Sequence, residues 1–167
     1  YRVVDWDKRL SARLTLSQRA RLRRKGAILG AHLGDSLVWL ALGLAALVLG
    51  NATVRQVVIV TALAVILSAG SVTIVKPFLR RQRPRPDMKG FFWDRFDRYS
   101  FPSGHAARTA SIAIVMGINY PHYAPSFFLL PFIVGLCRIA LGIHYLSDIL
   151  VGLIIGFVFA WVVISIL

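Results

Sequence analysis

The sequence predicts an all-α integral membrane protein, a helical bundle of about five transmembrane helices preceded by a basic amphipathic segment. Of its 167 residues, 57% are hydrophobic, and the mean hydropathy of +0.67 exceeds what a soluble domain of this size needs to form a core. Several apolar runs have about 20 residues, enough to cross the hydrocarbon core of a bilayer. We therefore expect a multi-pass protein of the cell membrane, surrounded by membrane lipids.

The first predicted element, residues 1–26, is a basic amphipathic segment at the membrane interface. The first 25 residues contain nine Lys or Arg, and Trp6, Leu10 and Leu14 recur at helical spacing. A second short helix is expected to follow and to end near Gly26. The alternative is a solvated basic tail.

Residues 27–167 are expected to form the membrane domain. Its five predicted spans are residues 27–49, 57–75, 104–120, 125–143 and 149–167. The first span would contain His32 and Asp35 or hold them at its edge, because a start at Ser36 leaves too few apolar residues to cross.

Small residues repeat along two of these helices. Gly26, Gly30 and Gly34 lie at every fourth position, and Gly152 and Gly156 form a second such face. Faces of this kind allow helices to approach closely. Packing within the chain is the simpler interpretation, and a homo-oligomer formed through these faces is the alternative.

The distribution of charge predicts the topology. With five spans, the N-terminus, the 76–101 loop and the 144–148 turn lie on one face of the membrane, together with nearly all Lys and Arg. The loops on the opposite face contain Arg55 alone. Short basic loops remain in the cytoplasm, so the polar face is predicted to be cytoplasmic.

Three polar clusters lie at span ends on that face: Lys76 with Arg83, Ser103 with His105, and Arg138 with His144 and Asp148. Arg and Lys bind phosphate oxygens, and a helix that begins after Ser103 presents free N–H groups to an anion. His144 and Asp148 share one helix face if the turn between them is helical. The carboxylate can then leave one imidazole nitrogen free as a nucleophile. The clusters predict an anion site with catalytic groups.

These clusters resemble the signature of the type 2 phosphatidic acid phosphatase (PAP2) superfamily. The three motifs match in order as Lys76-x6-Arg83-Pro84, Pro102-Ser-Gly-His105 and Arg138-x5-His144-x3-Asp148. One departure is Cys137, where the family often has Ser before the Arg. Soluble vanadium haloperoxidases share the pattern, but the membrane spans favour the lipid phosphatase branch.

The resemblance implies a role for each matched residue. His144 would be the nucleophile that forms a phosphohistidine, and Asp148 would orient it. His105 would protonate the leaving alkoxide and then activate water. The groups that would hold the phosphoryl oxygens are Lys76, Arg83, Ser103, the Gly104 amide and Arg138.

The implied activity is hydrolysis of the terminal phosphate of a lipid phosphate. Phosphatidate, phosphatidylglycerol phosphate and polyprenyl-linked phosphates all fit this description. An undecaprenyl-type polyprenyl diphosphate is the alternative substrate.

No metal ion or other cofactor is expected. Two-metal phosphatases need clustered carboxylate or His ligands. Here Asp87, Asp94 and Asp97 are interleaved with Arg and Lys, which is typical of a solvated loop. The cationic side chains of the motifs can supply the positive charge instead.

A non-enzymatic alternative also fits the formal charge of +13. The chain would then be a basic membrane-anchored module that binds anionic lipid or nucleic acid. That alternative leaves His144 and Asp148 beside Arg138 unexplained, so we expect a lipid phosphate substrate and no nucleic-acid partner.

Overall fold

The computed structural model describes residues 2–17, 19–85 and 98–167, and within these ranges the chain is helical with no β-strand. The seven α-helices there are α1 (Arg2–Leu14), α2 (Arg21–His32), α3 (Ser36–Leu49), α4 (Ala52–Leu79), α5 (Gly104–Asn119), α6 (Ala124–Ala140) and α7 (Leu146–Ile166). A 3₁₀ turn, Pro121–Tyr123, joins α5 to α6. The all-α prediction is confirmed.

The helices differ in how far they can cross a bilayer. Three are long and apolar enough to cross alone: α4, α7, and α6 with the 3₁₀ turn before it. Helices α2 and α3 qualify only as a pair, bent by 44°. Helix α5 has 16 residues, about 24 Å at 1.5 Å per residue, whereas the hydrocarbon core is about 30 Å thick. It lies in the centre of the bundle, packed against α4, α6 and α7.

The predicted first span over residues 27–49 is not a single helix but falls on the bent pair of α2 and α3. The helix breaks after His32, and Asp35 adopts an extended conformation before α3 begins. The Asp35 carboxylate contacts two imidazoles at this break, and these contacts require the chain to turn there. The second short helix also does not end near Gly26, because α2 starts at Arg21 and runs through it.

The predicted small-residue faces pack within the chain. A Cβ on Gly152 would lie 2.5 Å from the carbonyl oxygen of Ser103, and a Cβ on Gly156 would lie still closer to the Ala107 carbonyl oxygen. These contacts let α7 lie directly against α5. Gly30 likewise packs against α6. A Cβ on Gly26, by contrast, would meet nothing within 4 Å in the described part of the chain. A homo-oligomer stays a prediction.

Helix α1 lies across the end of the bundle at which α7 begins. Asp7 accepts hydrogen bonds from the backbone N–H of Ser147 at 3.1 Å and from its hydroxyl at 2.6 Å. The Ser11 hydroxyl accepts from the backbone N–H of Leu146 at 2.9 Å. Asp7 and Ser11 are buried, whereas 63% of Trp6 is exposed. The side of α1 that carries Asp7 and Ser11 is thus turned toward the protein, whereas Asp5, Lys8 and Arg9 are exposed.

Candidate active site

The end of the bundle that α1 covers brings the predicted motif residues together. Lys76 lies in the last turn of α4, Ser103 caps α5, His105 lies in its first turn, Arg138 lies in the last turn of α6 and Asp148 in the first turn of α7. Arg83 follows α4 in the adjoining loop. The backbone N–H of Ser103 donates to the Asp148 carbonyl at 3.0 Å, which fixes the start of α5 against α7.

His144 lies in a tight turn between α6 and α7, not in a helix. The turn contains Gly142 at a φ of +73°, a conformation that favours glycine. The Gly142 carbonyl accepts from the backbone N–H of Arg85 at 3.0 Å. The condition under which His144 and Asp148 would share a helix face, a helical turn between them, is therefore not met. The turn still brings them together, with His144 Nδ1 3.4 Å from Asp148 Oδ2.

Asp148 is held by two further contacts. Its Oδ2 accepts from the backbone N–H of Tyr145 at 2.8 Å, and its Oδ1 accepts from Arg81 Nη1 at 2.8 Å. The side chain is fully buried, so these donors fix the orientation of the carboxylate. The 3.4 Å separation from His144 is longer than a good hydrogen bond, so charge attraction and orientation dominate that contact.

Burial has the largest influence on His144 and lowers its pKa. Asp148 opposes that effect, while the charges of Arg138 and Arg83 add to it, and the resulting pKa is about 4. The imidazole is therefore neutral at pH 7. Both ring nitrogens are buried, and neither makes a hydrogen bond within the described part of the chain. With Nδ1 turned toward Asp148, Nε2 is the nitrogen left for chemistry.

His105 contacts a carboxylate that the motifs do not include. Its Nε2 lies 3.1 Å from Asp35 Oδ1, and Asp35 Oδ2 lies 2.5 Å from His32 Nδ1. Arg138 Nη2 lies 3.9 Å from Asp35 Oδ1. Sequence reasoning placed Asp35 at the edge of the first span without a role. Its position could have indicated a functional role, because a single carboxylate within an apolar segment is costly unless it is used.

Arg81 is a second residue that sequence reasoning missed. Its Nη2 lies 2.5 Å from Asp7 Oδ2, and its Nη1 donates to Ser147 Oγ at 2.6 Å as well as to Asp148. Its guanidinium lies 4.0 Å from the centroid of the Tyr145 ring. Nothing in the sequence distinguishes Arg81 from the neighbouring arginines, so only the fold identifies it.

Asp7 depends on the same network. Burial raises its pKa, but hydrogen bonds from Ser147 and Arg81 outweigh that effect, so the pKa lies below its ordinary value. Asp7 is therefore ionised and balances the charge of Arg81. Helix α1 thus contributes to the support of the catalytic turn.

The three aspartates of the loop after α4 are expected to be solvated and not to bind a metal ion. Asp87, Asp94 and Asp97 lie outside the described residues. Within residues 2–17, 19–85 and 98–167, no group of three or more His, Cys, Asp or Glu could hold a metal ion. Metal independence stays a prediction.

Comparison with known proteins decides the family. Residues 53–167, well over half of the chain, match the PAP2 superfamily. The chain belongs to the PAP2 superfamily. It is similar to the decaprenylphosphoryl-5-phosphoribose phosphatase of Mycobacterium tuberculosis, with 33% identity over 127 residues that cover 75% of this chain and 70% of that protein.

Two crystal structures of PAP2 phosphatases share the fold. The LpxE protein of Aquifex aeolicus superposes with a TM-score of 0.77 at 25% identity, covering 94% of this chain and 93% of that one. The PAP2-type phosphatidylglycerolphosphate phosphatase of Bacillus subtilis gives 0.71 at 20% identity, covering 98% and 85%. The predicted family, the helical membrane fold and the phosphatase class are thus confirmed.

Proposed function

We propose that this PAP2 chain hydrolyses the terminal phosphate monoester of a lipid-linked phosphate, without a metal ion, through a phosphohistidine on His144. The observation that carries the proposal is the state of His144. It is fully buried and neutral, with Nδ1 turned to Asp148 and Nε2 unpaired among the described residues. A neutral imidazole oriented in this way is a competent nucleophile.

In the first step, His144 Nε2 attacks phosphorus and the bond from phosphorus to the lipid oxygen breaks. Asp148 holds the Nδ1 proton and stabilises the positive charge that the ring acquires. His105 gives a proton to the leaving alkoxide. In the second step, water attacks the phosphohistidine, His105 takes the water proton, and inorganic phosphate leaves with His144 restored.

The phosphoryl oxygens would lie among the cationic groups at the helix ends. Lys76 and Arg138 are 8% and 7% exposed, so their charges are weakly screened and act strongly on an anion. The remaining groups in this role are Arg83, the Gly104 amide at the start of α5, and the Ser103 hydroxyl. Ser103 Oγ accepts from the Ala106 N–H at 3.4 Å, which leaves its O–H to donate to phosphate.

A polyprenyl-linked phosphosugar is the first substrate candidate. The name of the mycobacterial relative gives decaprenylphosphoryl-5-phosphoribose as its substrate, and that relative is 33% identical over 75% of this chain. Phosphatidate and phosphatidylglycerol phosphate are further monoester candidates, and a polyprenyl diphosphate is the alternative.

The test is phosphate release by the purified protein from each of these lipids in detergent micelles. We expect release from at least one lipid monophosphate by the wild type and none by His144→Ala. Release from none of these lipids by the wild type would leave a basic lipid-binding module as the better description. Equal release by the two proteins would remove His144 as the nucleophile. Release from the diphosphate alone would replace the monoester substrate with a diphosphate.

The catalytic face is proposed to be cytoplasmic. Helix α1, the start of the loop after α4 and the α6–α7 turn all lie at this end of the bundle, and nearly all Lys and Arg of the sequence belong to this side. Basic segments of this kind remain inside. The exposed Trp6 of α1 would lie among the lipid headgroups, consistent with residues 1–26 as an interfacial segment.

Sidedness can be tested in intact cells with a membrane-impermeant maleimide on a Cys137→Ser background. Asn51→Cys should react, and Ser17→Cys should react only after permeabilisation, since both positions are exposed and lie on opposite faces. The reverse labelling pattern would place the active site outside.

A further inference from the structure

The break between α2 and α3 is packed directly onto the start of α5. Arg108 Nη1 donates to the Gly34 carbonyl at 2.8 Å. A Cβ on Gly34 would lie 3.1 Å from His105 Cδ2 and 2.8 Å from a methyl group of Val134. The close approach therefore requires glycine at position 34, and it brings the following residue, Asp35, to His105.

Both oxygens of the Asp35 carboxylate contact an imidazole. Oδ1 lies 3.1 Å from His105 Nε2, and Oδ2 lies 2.5 Å from His32 Nδ1. The Asp35 side chain is 27% exposed and that of His105 is 19% exposed. A carboxylate held at both oxygens has a fixed orientation, so it also fixes the ring plane of His105.

The cationic side chains near His105 give the Asp35 carboxylate a chemical role, because its negative charge opposes theirs. Arg138 Nη2 lies 3.9 Å from Asp35 Oδ1, and Arg108 donates to the carbonyl of Gly34, the residue before Asp35. Positive charges near an imidazole oppose its protonation. A general acid must nevertheless carry a proton when the leaving group departs. Within the described part of the chain, Asp35 is the carboxylate hydrogen-bonded to His105, and its charge offsets the two cations.

We propose that Asp35 is the positioning residue of His105, which presents Nδ1 to the leaving oxygen while Nε2–H remains bonded to Asp35. This inference rests on the proposed role of His105 as general acid. Nδ1–H passes its proton to the lipid oxygen as the bond from phosphorus to that oxygen breaks. The same Nδ1 then takes a proton from the attacking water, and Nε2–H stays on Asp35 throughout.

A leaving-group series separates this role from a structural one. Departure of an alkoxide needs a proton, whereas a nitrophenolate leaves with little help. We expect Asp35→Asn to lower kcat/KM for an alkyl phosphate by roughly 10- to 100-fold, less than the loss of His105 itself, and to change kcat/KM for p-nitrophenyl phosphate little. The ratio kcat/KM is the right quantity because it reports on steps up to the departure of the leaving group.

Three further variants serve as controls. Asp35→Glu keeps the carboxylate and should restore much of the activity on the alkyl phosphate. His32→Asn leaves Asp35 in place but removes the imidazole that contacts its Oδ2. We expect a smaller loss of kcat/KM that is again greater for the alkyl phosphate than for p-nitrophenyl phosphate. This variant tests the inference if Asp35→Asn does not fold. Asp5→Asn, at an exposed carboxylate of α1, should change neither rate.

Two results would overturn the inference. An equal loss on both substrates would assign Asp35 a purely structural role. A lower KM with a higher kcat/KM on both substrates would show that Asp35 competes with the phosphate for Arg138. His105→Ala, measured in parallel, separates this inference from the proposed function. If the loss of kcat/KM in His105→Ala does not depend on the leaving group either, His105 is not the general acid. If the loss depends on the leaving group in His105→Ala but not in Asp35→Asn, only the role of Asp35 is removed.

Discussion

The proposed active site contains two histidine–carboxylate pairs that are built differently. His144 and Asp148 are both fully buried, and donors from Arg81 and from the Tyr145 backbone hold the carboxylate. His105 is 19% and Asp35 27% exposed, and their carboxylate lies at a helix break. The first pair engages the imidazole through Nδ1, the second through Nε2.

In the proposed mechanism, this difference corresponds to two steps of phosphoryl transfer. A nucleophile benefits from burial, because burial keeps the imidazole neutral and its geometry fixed. A general acid must exchange its proton with a leaving group and then with water, so partial access to solvent suits it. Changes to the His144 pair should therefore affect all substrates equally, and changes to the His105 pair should depend on the leaving group.

The largest expected effect is that of His144→Ala. Without the nucleophile no phosphohistidine can form, so phosphate release from a lipid monophosphate should fall by roughly 10⁴-fold or more. His105→Ala should lower it by about 10²–10⁴-fold, because water can replace a general acid inefficiently. Steady-state phosphate release measures both. A larger loss for His105→Ala than for His144→Ala would reverse the roles of the two pairs.

Asp148→Asn should be nearly as damaging as the loss of His144. The amide cannot stabilise the cationic ring, and it leaves the Arg81 charge without one of its carboxylates, so a fall in kcat of about 10³–10⁴-fold is expected. The loss should be the same for p-nitrophenyl phosphate and for an alkyl phosphate. A loss confined to the alkyl phosphate would show that Asp148 assists the general acid, His105, and not the nucleophile, His144.

Asp7→Asn should weaken the support of the first pair without removing it. The substitution reduces charge-assisted hydrogen bonds to Arg81 and Ser147, so the free energy of unfolding should fall by about 1.5–3 kcal/mol. Thermal unfolding in detergent measures this change, with the exposed Asp5→Asn as the matched control. Equal stability of the two variants would mean that α1 does not support the catalytic turn.

A smaller effect is expected from mild acid. The pKa of His144 is about 4 in the folded protein, against about 6.5 for an ordinary histidine. The neutral nucleophile is therefore present above pH 4 and is lost as the pH falls through that value. The unfolded chain takes up this proton at higher pH, so folding becomes less stable as the pH falls from 6.5 toward 4.

Histidine NMR titration in micelles tests the pKa directly, with His144→Gln to assign the signal. At pH 5.5 the His144 ring should still be neutral. A midpoint near 6.5 would contradict the burial argument.

The smallest expected effect is that of chelation. Excess EDTA should leave phosphate release unchanged, because Lys76, Arg83 and Arg138 provide the positive charge. A loss of activity that Mg²⁺ restores would contradict the metal-free mechanism.

The same comparison shows how far the sequence predicts the site. Motif spacing identified His144, Asp148 and His105, and hydropathy predicted the apolar segments that carry them. The sequence did not reveal the partners of these residues. Asp35 is 70 positions from His105, and Arg81 is 67 positions from Asp148, and helical periodicity carries no information over such distances. The break at residue 34 was not predicted because mean hydropathy is averaged over many residues, and one polar residue such as Asp35 changes that average little.

The measurement that most directly tests the division of roles is rapid acid-free quenching of the enzyme with a ³²P-labelled lipid monophosphate. A phosphoramidate on histidine is stable to alkali and labile to acid. We expect the wild type to carry such a label during turnover and His144→Ala to carry none. His105→Ala, given p-nitrophenyl phosphate labelled in the same way, should accumulate more of it, because water attack is slowed. A label that persists in His144→Ala, or an active wild type that never becomes labelled, would contradict His144 as the nucleophile.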